Sequence, residues 1–83
     1  MKQKEEILNQ IGSTIVFLKS AKEEREKELE SLLYGCKVSR VEEIEGWEAF
    51  HLGFELEHQI KELDFFIDDL ERQCRCVSEF EEV

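Results

Sequence analysis

The chain has 83 residues, of which 39% are charged and 41% hydrophobic, with no proline, four glycines and a net charge of −10. That length leaves room for one domain with a modest core, and the mixture is that of long amphipathic helices rather than of a disordered segment. Seven basic and seven acidic residues cancel over positions 1–38, whereas four basic residues face fourteen acidic ones over positions 39–83, so the second half carries the whole surplus. A field of that sign repels phosphate backbones and anionic lipid, which argues against direct nucleic-acid or membrane binding and leaves a basic protein as an electrostatically suited partner.

No apolar run approaches the roughly 18–20 residues that span a bilayer, and the opening Met1-Lys2-Gln3-Lys4-Glu5-Glu6 lacks the apolar centre of a secretion signal. Three cysteines are too few and too irregularly placed for a secreted disulfide framework, so a reducing, cytoplasmic location is expected.

Leu8, Ile11, Ile15, Leu18, Lys22, Arg25, Leu29, Leu32 and Cys36 step by threes and fours, the spacing of a coiled-coil seam. A first helix is therefore expected over about residues 3–34. Lys22 and Arg25 interrupt its seam inside the run Lys22 to Glu28, which reads as a solvated face held by i,i+4 pairs such as Glu23 with Lys27. A turn over 35–39 follows, with Gly35 suited to the left-handed residue that ends a helix. Ser39 and Glu42 form an S-x-x-E capping box, and Glu42, Glu43 and Glu45 favour the positive end of a new helix dipole. The second helix is expected over about 40–77, with a tail over 78–83.

Ala49, Leu52, Gly53, Leu56, Ile60, Leu63, Ile67, Leu70, Cys74 and Val77 share one face of the second helix at about 100° per residue. Folding about a turn near residue 37 sets Leu8 beside Ile67, Ile11 beside Leu63, Leu18 beside Leu56 and Arg25 beside Ala49. The polar break of the first helix would then meet the small residues Gly46, Ala49 and Gly53, leaving the turn-proximal half the weaker one. The fold class is thus all-α: one helical-hairpin domain over 1–83, antiparallel and coiled-coil-like.

Trp47, Phe50, Phe54 and Phe65 lie on the opposite face of the second helix, with Val16 and Phe17 of the first helix also off the seam. A two-helix hairpin has only one inside, so a second apolar face marks either self-association into a four-helix bundle or a site for another protein. A small core favours oligomerisation as well, and a homodimer is expected. Glu57, Asp64, Asp68, Asp69 and Glu71 form the candidate acidic surface for a basic partner.

Two E-x-x-H copies, Glu48 to His51 and Glu55 to His58, are followed by Glu62 on the same side. Glu and His three apart on a helix can reach one metal, as in di-metal four-helix proteins. The first helix offers no inward carboxylates to complete such a site, so a metal-binding bundle stands as the alternative and no cofactor is expected. Cys74-Arg75-Cys76 points its sulfurs in different directions, and Cys36 lies about 55 Å away along a helix at ~1.5 Å per residue; Cys74 reads as a core residue. Glycine-rich phosphate loops and nucleophile elbows are lacking. Glu42 with Glu45 resembles only the first half of the ligand pattern of helical nucleotide pyrophosphohydrolases, because no E-x-x-D follows. The expectation is a small acidic, non-enzymatic, protein-binding module, a homodimeric adaptor or inhibitor whose partner is basic and conceivably binds nucleic acid itself.

Overall fold

The computed structural model describes residues 2–79, and these are almost wholly helical. Helix α1 runs Lys2–Cys36, a 3-10 turn spans Val41–Glu43, and helix α2 runs Trp47–Glu79. The two helices pack side by side in opposite directions, because early residues of α1 meet late residues of α2. Lys4 donates to the Ser78 carbonyl, Lys22 to Asp64, and Arg25 to Gln59. The result is a rod of 60 × 17 × 15 Å.

The end of α1 is built differently from the sequence expectation. Gly35 is helical, and the left-handed residue is Lys37 at φ 59°. The Lys37 amide donates to the Tyr34 carbonyl and the Val38 amide to the Leu33 carbonyl, both at 3.1 Å, which is the paired closure of a Schellman motif with Lys37 in the place glycine usually takes. Two residues separate the most permissive amino acid from the position that needs it.

The second helix starts at Trp47 rather than Arg40, and the capping box of Ser39 and Glu42 does not open it. Arg40 is the N-cap of the 3-10 turn and makes no side-chain capping bond, Ile44 is extended at φ −67° and ψ 125°, and Gly46 has φ 103°. Burial explains the break. In a helix continuous with α2, Ile44 would point about 120–140° away from Leu56 and Ile67 at ~100° per residue, toward water. Released at Gly46, the connection folds Val41 and Ile44 down onto α2, where both are buried. Gly53 makes room for them, since a β-carbon there would lie 3.1 Å from Ile44 Cδ1, 3.2 Å from Val41 Cγ1 and 3.3 Å from Leu32 Cδ2. The Gly46 carbonyl then accepts the first α2 bond, from the Phe50 amide at 3.0 Å.

The longer connection resets the register. Arg25 meets Gln59 instead of Ala49, a slip of about ten positions or nearly three turns. Leu8, Ile11 and Leu18 are displaced from Ile67, Leu63 and Leu56 by the same slip. The polar break of α1 consequently faces polar partners on α2 and not its small residues. The turn-proximal half is also the better-packed one, with Val41, Ile44, Gly53 and Leu56 buried there and Ile67 buried further along. Ser78 and Glu79, expected in the tail, belong to α2, and the rest of that tail lies outside the described residues.

Candidate functional site

Along α2 the side turned away from α1 carries large apolar groups in water. Trp47 is 75% exposed, Phe54 60% and Phe65 69%. Phe50 is only half-buried and sits at the border of this face. Phe66, which the sequence reading passed over, is also exposed, and its ring meets Phe65 edge-on at 6.0 Å. Its helical phase sets it between the outward face and the seam, so periodicity assigns it to neither. Val16 and Phe17 on α1 are exposed as expected off its seam. Tyr34 and Ile7 are exposed too.

Beneath this face the interior is thin. No side chain is fully buried among the described residues, and the buried apolar set is Val41, Ile44, Leu56 and Ile67. The protein exposes 6822 Å² for a mass of 9.9 kDa, where a compact monomer would expose about 5,200 Å².

The histidines lie among the aromatics. His51 stacks at a tilt on Trp47, with ring centres 5.7 Å apart. Each imidazole approaches the carboxylate one turn onward, His51 Nδ1 lying 3.7 Å from Glu55 and His58 Nε2 3.1 Å from Glu62. The pairing runs from His to the next Glu, not from the Glu of each E-x-x-H. All of these side chains are exposed, as is Glu48, and among the described residues no three potential ligands gather into a metal-sized cluster. Trp47, Glu48, His51, Leu52 and Glu55 line a shallow, open depression at the start of α2.

The acidic surface is partly spoken for. Asp64 accepts from Lys22 at 2.7 Å and Glu71 lies 3.3 Å from Lys19, so two of its members tie α2 to α1. Asp69 accepts from Gln73 at 3.0 Å. Glu57 and Asp68 complete the set, the first half-buried and the second exposed. The hydrogen bond from Lys22 to Asp64 holds the Lys22 ammonium above its usual 10.5, against a smaller opposing effect of burial. Lys22 and Arg25 are therefore inter-helix clasps, whereas Lys27 with Glu23, at 3.5 Å, is the expected pair along the helix surface. Cys36 and Cys74 are half-buried and Cys76 exposed, all as free thiols. No helix among the described residues is long and apolar enough to cross a membrane.

No known protein family matches this chain, and neither a curated protein nor a solved structure is significantly similar to it.

Proposed function

We propose that the chain is a small, acidic, non-enzymatic interaction module that works as a homodimer, in the manner of an adaptor or inhibitor, in a reducing cytoplasmic setting. The observation that carries the reading is the row of Trp47, Phe54 and Phe65, each more than half exposed on the outward side of α2, with no fully buried side chain among the described residues. Apolar patches of this kind mark interaction sites. The surplus of about 1,600 Å² over a compact monomer is about twice the ~800 Å² that one partner contributes to a standard protein interface, although the elongated shape accounts for part of it. Two rods packed along α2 make a four-helix bundle, the arrangement by which short hairpins gain a shared interior.

The second half of the chain supplies the surface for a basic protein partner, conceivably one that itself binds nucleic acid. Glu57 and Asp69 are the acids most available to it, since Asp64 and Glu71 already serve α1 and Asp68 falls on the face offered to the second copy. A captured partner should bind less tightly as salt rises from ~50 to ~300 mM, because the screening length shortens over that range. Binding that ignores salt would count against an acidic docking surface.

The dimer itself is tested by light scattering. Phe54→Glu places a charge in the proposed interface at a cost of several kcal/mol and should yield a folded monomer. A wild-type protein that is monomeric at micromolar concentration contradicts the reading.

A further inference from the structure

From Trp47 the positions 47, 51, 54, 58, 61, 65, 68 and 72 step by four and three, and the structure leaves every one of them exposed. This is a second coiled-coil seam on α2, opposite the one that packs on α1, and it differs from an ordinary seam in mixing aromatic and charged residues. We infer that this seam is self-complementary in one arrangement: α2 of a second copy of this chain lies antiparallel on it, with the two-fold axis between Gln59 and Ile60. The inference rests on the homodimer reading above and specifies its orientation and register.

In that register three of the four kinds of layer join compatible groups, the exception being the two basic side chains next to the axis. Trp47 meets Arg72 of the second copy, a guanidinium over an indole face. His51 meets Asp68, a hydrogen-bond donor against a carboxylate. Phe54 meets Phe65 at the apolar centre of each half, and His58 meets Lys61 next to the axis. Because a two-fold interface is isologous, every layer occurs twice, over a contact length of about 39 Å at ~1.5 Å per residue. A parallel, in-register pair would instead set Lys61 on Lys61, Asp68 on Asp68 and Arg72 on Arg72, three layers of like charge. An antiparallel pair slipped by one heptad toward the start of α2 leaves Asp68 and Arg72 beyond the end of the partner helix, which begins at Trp47. Slipped the other way, it sets Trp47 on Glu79, His51 on Arg75 and Phe54 on Arg72, with no layer that joins two aromatics. Only the register centred after Gln59 joins Phe54 to Phe65 while setting Trp47 on Arg72 and His51 on Asp68.

Dipolar EPR separates these arrangements. In a background of Cys36→Ser, Cys74→Ala and Cys76→Ser, a nitroxide is placed at Glu48→Cys or at Glu55→Cys, and helical circular dichroism verifies the fold. The antiparallel register gives spacings between copies of about 35 Å at position 48 and about 16 Å at position 55, from ~1.5 Å rise and an interaxial distance of ~9 Å. Equal, short spacings at both positions mean a parallel dimer and overturn the inference while leaving the homodimer. About 26 and 10 Å, or about 45 and 25 Å, mean a slipped register and overturn it likewise. Absence of any spacing together with a monomeric mass overturns both.

A charge exchange checks the register with the native cysteines in place. His51→Glu and Asp68→Lys should each weaken dimerisation about ten-fold or more, and the two together should restore it to within a few-fold of wild type, since the layer then joins a carboxylate to an ammonium. Additive weakening in the double variant overturns the register.

Discussion

Lys37 occupies a backbone conformation that costs an L-residue roughly 1 kcal/mol, while Gly35, two positions earlier, spends its freedom inside a helix. Both are correctable. Lys37→Gly should raise stability by about 0.5–1 kcal/mol, and Gly35→Ala by up to about 1 kcal/mol, since nothing lies within 4 Å of a β-carbon there. Urea midpoints measure both. A loss on Gly35→Ala would mean that this glycine, and not Lys37, closes the helix. Gly53→Ala should go the other way by about 1–3 kcal/mol, because Val41, Ile44 and Leu32 already fill that space. Sequence preference pointed to a glycine near the end of α1 and was two residues off, because the need for positive φ belongs to a position and not to a residue type.

Lys22 gives a residue-scale test in pH. With its ammonium held above the usual 10.5 in the folded state, its contribution is complete below that value and is lost as pH rises through the elevated one. The stability gap between wild type and Lys22→Met should therefore be present at neutral pH and close in alkali, as pH rises past 10.5 and through the elevated value. A gap that persists unchanged in alkali would show that Lys22 acts through packing of its methylenes rather than through Asp64.

Elements were more legible than their joints. The three-four spacing in each half specified two long helices and most of the inward faces that meet: Leu56, Ile67, Cys74 and Val77 lie on the shielded side of α2, whereas Leu52, expected there, is 48% exposed. What periodicity could not show was that Val41 and Ile44, which continue a plausible helical run after a good capping box, gain more by leaving it. Their burial over Gly53 is a tertiary effect between parts of the chain that no local signal links. That single displacement moved the start of α2 and, through connection length, the register of every inter-helix pair. Ile44→Ala should consequently cost about 2–4 kcal/mol although the residue lies in a connection, whereas Leu52→Ala, nearly half exposed on α2, should cost less than about 1.5 kcal/mol. Equal costs would contradict the folded-down connection.

The candidate site divides along the same line. That Trp47, Phe54 and Phe65 point away from α1 followed from helical phase alone, as did the exposure of Val16 and Phe17. Which acids remain available did not, because Asp64 and Glu71 are claimed by Lys22 and Lys19 only in the register the connection sets.

At the scale of the molecule, a thin rod with a Cα radius of gyration of 17.7 Å, against about 12 Å for a compact chain of this length, has little interior to hold it together. Acidic residues border both sides of the outward seam of α2: Glu55 and Glu62 on one, Glu57 and Asp64 on the other. Two copies brought together along it set these borders against each other, and each brings a net −10. Self-association should therefore strengthen by several-fold from ~50 to ~300 mM salt as that repulsion is screened, the opposite of the dependence expected for a basic partner. The central claim, that α2 buries its outward face against a second copy, meets its most direct test in sedimentation equilibrium at micromolar concentration. A dimer along α2 gives about twice 9.9 kDa for the wild type and 9.9 kDa for folded Phe54→Glu; a wild-type mass of 9.9 kDa, or a Phe54→Glu variant that stays dimeric, would contradict it.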